Sequence, residues 1–270
     1  MNTTPNPGKV VLITGASKGL GRVMALGLAA AGANVAITAR PGSEAALAGV
    51  VDAAVAAGSG GRVAAFIGDI TDPAACASIV AKTLERFGAL HVLFNNAALG
   101  MGEVGPHVSK NIPFYEVPVD TWHRIVDTNV NGTFHMALAV VPLLLKQKWG
   151  RIINLSTGMR TMVHSGFSPY GPSKAAVESM TAIWAQDLAG SGVSVNALLP
   201  GWASDTGMVL PEDYPDRSRL VPPAAMVPPA VWLASGDSDG VTGMRILARD
   251  WNAALPPAEA YRGASAKAAW

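Results

Sequence analysis

The chain has 270 residues, half of them hydrophobic and only 14% charged, with a formal net charge of +1. That length suits one large α/β domain with a substantial core, while the absence of a basic stripe or an acidic tail argues against a nucleic-acid partner or a charged scaffold. The single cysteine, Cys76, excludes an internal disulfide framework and reads as a small buried hydrophobe. In chain order, residues 1–8 are polar and turn-rich. They read as a flexible N-terminus that lacks the basic and apolar regions of a signal peptide. Apolar strand patterns then fall at 9–14, 34–39, 62–68, 90–95, 151–155, 193–198 and near 244–248. Helical patterns fall between them at 19–31, 43–57, 73–87, 120–148, 169–189 and near 224–235. Such alternation predicts a doubly wound parallel sheet of about seven strands with helices on both faces. Near-continuous apolar strands fit, because such strands are buried on both sides. No linker or repeat divides the chain, so 1–270 reads as one domain, ending in a tail, 250–270, without an interpretable motif. No apolar stretch is long enough to predict a membrane span, and a cytoplasmic protein is expected.

Two long loops, 100–118 and 201–223, follow strands at their carboxyl ends, where open α/β sheets bind ligands. The turn from the first strand into the first helix reads T-G-A-S-K-G-L-G, with Gly15, Ser17, Lys18, Gly19, Leu20 and Gly21. A helix N-terminus offers free N–H groups and a positive dipole end to a pyrophosphate, and glycines let the backbone approach it. This predicts a dinucleotide site. A carboxylate at the end of the second strand would suit the ribose 2′-hydroxyl of NAD. That end reads Ala39-Arg40, and Lys18 is a second nearby cation, so NADP(H) is favoured and NAD(H) remains possible.

Tyr170 and Lys174 are four residues apart, on one helical face. A phenol ordinarily titrates near ~10, and a neighbouring ammonium lowers that value, so the pair is suited to proton exchange with a carbonyl or alcohol oxygen. The spacing Gly-x-x-x-Gly-x-Gly, Thr14, the Asn95-Asn96-Ala97 turn, Tyr170 and Lys174 together resemble the short-chain dehydrogenase/reductase family, from residue 9 to about 248. Asp69-Ile70, Asn129 in D-T-N-V-N-G, and Pro200-Gly201 are further matches. The resemblance implies a Rossmann-type fold and an NAD(P)-dependent carbonyl reductase, reversible as an alcohol dehydrogenase. It implies that Tyr170 is the acid–base group and that Lys174 lowers its pKa and binds the nicotinamide ribose. Asn129 would hold a relay water, Asp69 would help hold the adenine, Asn96-Ala97 would support the central strand beside the cofactor, and Pro200-Gly201 would contact the nicotinamide. It also implies a homotetramer or homodimer acting on a small-molecule carbonyl or alcohol. An NAD-linked alcohol dehydrogenase and a catalytically silent dinucleotide-binding regulator are the alternatives.

Two features depart from the pattern. The substrate-side serine falls, counting back from Tyr170, on Thr157, with Ser156 one residue earlier. Neighbouring strand residues face opposite ways, so register favours Thr157. The last strand, M-R-I-L-A-R-D-W-N, lacks the usual acid and paired glycines. Met159, Val163, Phe167, Trp202, Met208 and Val209 are candidates for an apolar substrate wall. Arg160 and His164 lie nearby, and His164 reads as an ordinary loop histidine. No His, Cys and carboxylate grouping has metal-ligand spacing.

Overall fold

The computed structural model describes residues 6–269. Seven strands run parallel: β1 (Val10–Thr14), β2 (Asn34–Ala39), β3 (Val63–Ile67), β4 (Val92–Asn95), β5 (Gly150–Leu155), β6 (Val193–Leu199) and β7 (Met244–Leu247). An eighth, β8 (Ser265–Lys267), pairs antiparallel with β7, and the order is β3-β2-β1-β4-β5-β6-β7-β8. The longer helices are α1 (Gly19–Ala30), α2 (Glu44–Ala56) and α3 (Pro73–Phe87). After the short α4 (His107–Lys110) come α5 (Val119–Val126) and α6 (Gly132–Gln147), joined by a π-helical turn at Asp127–Asn131. The short α7 (Met159–Met162), α8 (Tyr170–Asp187), α9 (Val227–Ala234) and α10 (Pro257–Ala264) complete the set.

The period-2 alternation of each strand sorts its side chains into two cores. Val11, Ile13, Val35, Ile37 and Phe94 face Met24, Leu28, Leu47, Val50 and Leu233 on one side. Leu12, Ala36, Leu93, Ile152 and Val195 face Ile79, Met136, Val140 and Leu144 on the other. Cys76 is buried in this second core, where burial pushes its thiol up to about 12, as befits an inert packing group.

To the seven parallel strands expected, the tail adds an eighth by folding back. Tyr261 of α10 stacks on Trp232 at 4.8 Å, and Ala268 N donates to Gly243 O at 2.8 Å. Asn6, assigned to a flexible N-terminus, is buried and its Nδ2 donates to Val231 O at 2.9 Å; residues 1–5 lie outside the described residues. The continuous helical stretch Val119–Gln147 is, contrary to expectation, long and apolar enough by length and composition to cross a membrane. Here it packs the second core through Met136, Val140 and Leu144.

The carboxyl ends of β1 to β6 lie along one edge of the sheet. The chain winds outward from β1 to β3 and then returns to β4 on the other side of β1, so the switch point falls between β1 and β4. Ligands bind open α/β sheets there.

Candidate active site

At the switch point, Thr14 ties the two central strands together. Its Oγ1 accepts from Asn96 N and Ala97 N, both at 3.0 Å, and Asn96 Nδ2 returns bonds to Thr14 O at 2.8 Å and Gly15 O at 3.0 Å. Two glycines are required by this packing. A Cβ on Gly15, whose φ is +63°, would stand 2.6 Å from Ala97 Cα, and one on Gly21 would stand 2.5 Å from Asn96 Nδ2. Gly19 instead opens outward, with only the Thr206 methyl within 3.4 Å of where its Cβ would be. Helix α1 has no side-chain cap and no acid in its first turn. Its free N–H groups and dipole therefore face outward, the cradle that a pyrophosphate requires. Ser17 and Leu20 are half-buried in this loop, Leu20 against the first core, while Lys18 is exposed. Arg40 is exposed beyond Ala39 at the end of β2, with no acid beside it in sequence. At the end of β3, Asp69 Oδ1 accepts from Thr71 N and Oγ1, both at 2.9 Å, which shapes the Asp69-Ile70 turn, and Ile70 packs beneath Gly132.

The second half of the site stands at the ends of β5 and β6. Tyr170, Lys174 and Glu178 recur every fourth residue on one face of α8. Lys174 Nζ donates to Leu155 O at 2.8 Å and lies 5.9 Å from the Tyr170 ring centroid. Tyr170 is half-buried, at the first turn of α8, and Thr157 follows the end of β5. Burial pushes the Tyr170 phenol up to about 12, and the Lys174 ammonium down to about 8. In this state Lys174 therefore does not depress the phenol. The ammonium is removed from water and directed at a carbonyl. Ser156 points the other way, its Oγ donating to the buried Glu178 Oε2 at 2.6 Å. Asn129 sits in the π-helical turn and is fully buried. Its Nδ2 donates to Leu99 O and to Ser173 Oγ, both at 3.0 Å, and its Oδ1 accepts from Leu99 N at 2.8 Å. Ser173 Oγ in turn donates to Tyr170 O at 2.7 Å, so Asn129 braces the first turn of α8. Pro200 O accepts from Arg249 N at 3.0 Å, and the Arg249 stem fills the space beside Gly201.

Sequence reasoning missed three contacts. Ser173 and Glu178 are helix partners whose roles depend on distant chain. Asp213, in the loop after β6, binds His107 N at 3.2 Å and Val108 N and Ser109 N at 3.0 Å, so it clamps one long loop to the other. Its carboxyl is held low: burial opposes this, but the Ser109 and His107 bonds and the adjacent His107 ring outweigh burial. Of the proposed apolar wall, Met159, Val163, Trp202 and Met208 are exposed, Met208 lies against Gly100, and Trp202 also lines a cavity of about 380 Å³ with Asp213, Tyr214 and Arg219. His164 is exposed and its Nδ1 is 2.7 Å from Ser165 O, as an ordinary loop histidine would be.

A doubly wound sheet with an uncapped glycine-rich turn at its switch point defines a dinucleotide-binding protein. The short chain dehydrogenase family model matches residues 9–214. The 3-oxoacyl-[acyl-carrier-protein] reductase FabG of Thermotoga maritima is 32% identical over 250 residues, 88% of this chain and 95% of the relative. Among solved structures, 3-ketoacyl-(acyl-carrier-protein) reductase from Brucella melitensis complexed with NADH aligns with a TM-score of 0.78 at 28% identity, covering 89% of this chain and 96% of that one. A short chain dehydrogenase from Shigella flexneri complexed with NADP aligns with a TM-score of 0.79 at 28% identity, covering 92% and 100%. The chain belongs to the short-chain dehydrogenase/reductase family, whose members are NAD(P)-dependent oxidoreductases.

Proposed function

We propose that the protein reduces a carbonyl to an alcohol with NADPH, reversibly, and that Tyr170, Thr157, Lys174 and Asn129 carry the proton side of the reaction. The observation that carries this reading is the buried Lys174, which shares one face of α8 with Tyr170 and bonds Leu155 O at 2.8 Å, two residues before Thr157, at the end of the sheet that also holds the open α1 turn. Two hydroxyls suit one carbonyl oxygen: Thr157 donates a hydrogen bond and Tyr170 transfers the proton. The bound nicotinamide supplies the hydride. Lys174, titrating near 8, remains mostly an ammonium at neutrality and favours a phenolate as it forms. Asn129, with its side chain fully engaged, leaves its main-chain carbonyl, which already accepts from Thr133 Oγ1 at 2.8 Å, as the group to hold a relay water. The 3-oxoacyl thioesters acted on by the named reductases are the first substrates to try. A panel of carbonyls and alcohols followed by absorbance with NADPH, NADH and their oxidised forms tests the reading, and no turnover across the panel would remove it in favour of the silent regulator.

Cofactor choice rests on Lys18, Arg40 and the absent acid at Ala39. Replacing both cations by Ala should raise the KM for NADPH about tenfold while moving that for NADH less than about twofold, since exposed charge pairs are screened. Equal effects on both would reject the assignment.

Thr157→Val keeps the shape and removes the donor, so turnover should fall about 100-fold or more, the ~2.7–4 kcal/mol lost with one oxyanion-side donor. Thr157→Ser should retain activity. Ser156→Ala orphans a Glu178 oxygen and should cost stability, about 1–3 kcal/mol, while turnover changes only a few-fold. The reverse pattern would transfer the role to Ser156.

We further infer a cytoplasmic homotetramer. Phe134, Leu138 and Leu145 on α6 and Ile183 on α8 are 42–57% exposed, more apolar surface than an isolated helix face usually shows to water. Light scattering at micromolar concentration should give four chains, and Leu138→Asp should give a smaller species. A stable wild-type monomer would contradict this.

A further inference from the structure

Arg245 is an ion in the middle of an apolar strand. It lies on β7, paired in register with Ala197 of β6, which is paired in turn with Asn154 of β5. Its side chain is 7% exposed, and that of its partner Glu178 is fully buried, with Arg245 Nε 3.4 Å from Glu178 Oε1. Buried ion pairs of this kind are seldom better for stability than well-packed apolar residues of the same volume, so their retention calls for another explanation. The contacts of the pair supply one. At the end of β5, three successive residues are each held by a buried charge. Lys174 Nζ binds Leu155 O at 2.8 Å, Glu178 Oε2 takes the Ser156 hydroxyl at 2.6 Å, and Arg245 Nη2 donates to Thr157 O at 3.2 Å. Ser156 N still belongs to the sheet ladder through Leu198 O at 3.0 Å, whereas Gly158 O already accepts from Thr161 N at 2.9 Å, in the turn of α7. Thr157 is thus the residue between strand and helix, and the guanidinium is what holds its carbonyl.

We propose that Arg245, itself oriented by Glu178, is a positioning residue for Thr157. It fixes the backbone that carries the Thr157 hydroxyl, and Glu178 turns Ser156 away from the site. The planar fork of an arginine suits this, because its Nε edge lies 3.4 Å from the carboxylate as an ion pair, short of hydrogen-bond geometry, while Nη2 reaches the carbonyl. The proposal rests on Thr157 being the substrate-side donor, and the test separates the two.

The double variant Glu178→Met/Arg245→Met removes the pair without leaving either charge buried alone. It leaves the Ser156 hydroxyl and Thr157 O without these partners, so it should melt somewhat below the wild type but stay folded and bind NADPH, followed by cofactor fluorescence, within about twofold, while kcat for the best carbonyl substrate falls about tenfold or more, as expected for a donor displaced by a fraction of an ångström. Arg245→Lys keeps a cation for Glu178 but not the fork that reaches Thr157 O, so it should show the same kcat loss, and it carries the comparison if the double variant does not fold. Placed in a Thr157→Val background, either change should cost less than about twofold more, because the hydroxyl it positions is already gone. A folded variant with unchanged kcat, or a loss that adds in full to that of Thr157→Val, overturns the positioning role alone. A neutral Thr157→Val overturns the donor reading and this proposal with it.

Discussion

Tyr170→Phe is expected to reduce carbonyl turnover at least about 100-fold, in the ~10²–10⁴ range of a lost general acid, while NADPH binding stays within about twofold of the wild type. The phenol stands at the first turn of α8, one turn before the buried Lys174 that bonds Leu155 O at the end of β5. Its environment favours the protonated form, since burial pushes it up to about 12. For reduction that is the useful state: the proton is retained until a negative oxygen develops beside it, and Lys174 then offsets the phenolate that remains. The substitution removes one half-buried hydroxyl from a helix braced independently by Ser173 and Asn129, so the fold should be unaffected. Kinetics paired with a cofactor titration check this. Retention of more than a tenth of wild-type turnover, with the cofactor bound normally, would transfer the acid role to another group.

What the sequence made visible were the features with local signals. Strands such as V-V-L-I-T at Val10–Thr14 are apolar throughout because both faces are buried, and the parallel sheet follows from their alternation with helices. Gly15 and Gly21 could be recognised because a close backbone approach tolerates no other residue there. The Tyr170–Lys174 spacing was visible because helical period puts the two on one face. Contacts between distant segments were not. Glu178 and Arg245 are separated by helix, strand and loop, although a lone arginine inside M-R-I-L is itself a signal, since a charge in a buried strand needs a partner. Strand β8, S-A-K, has no apolar pattern of its own and forms by pairing with the free edge of β7. Asp213 clamps α4 through backbone N–H groups, with the Ser109 hydroxyl and the His107 ring beside them, a contact between segments about a hundred residues apart that no local pattern encodes. The length of Val119–Gln147 misled in the other direction, because a helix that packs a large core has the composition of one that could cross a membrane.

Lys174→Met is expected to move activity and stability in opposite directions. Turnover should fall about 100-fold or more, because the ammonium proposed to offset the phenolate left by proton transfer is gone. Stability of the ligand-free protein should rise, and the sign follows from protonation. Lys174 titrates near 8 in the folded protein against 10.5 when unperturbed, because burial disfavours its charge. The folded state therefore binds the proton less tightly than the unfolded chain does. Below pH 8 both states are charged and the folded one carries the whole cost of the buried ammonium, about 3 kcal/mol at ~1.36 kcal/mol per unit. Between 8 and 10.5 that cost shrinks as pH rises, and above 10.5 it is absent. Methionine removes the cost but leaves Leu155 O without its donor, which returns about 1–2 kcal/mol. The net gain at pH 7 is about 1–2 kcal/mol, a rise in Tm of ~2–6 °C for a chain of this size. The difference in Tm between variant and wild type should then narrow as the pH is raised from 8 toward 10.5. Tyr170 titrates higher and is common to both proteins, so it drops out of that difference. Thermal melts of the two proteins across this window measure it directly. A variant that melts below the wild type at pH 7, or a difference that does not change with pH, would show that Lys174 is held in the fold as a stabilising ion rather than as a charge kept there at a cost in stability for its work beside Tyr170.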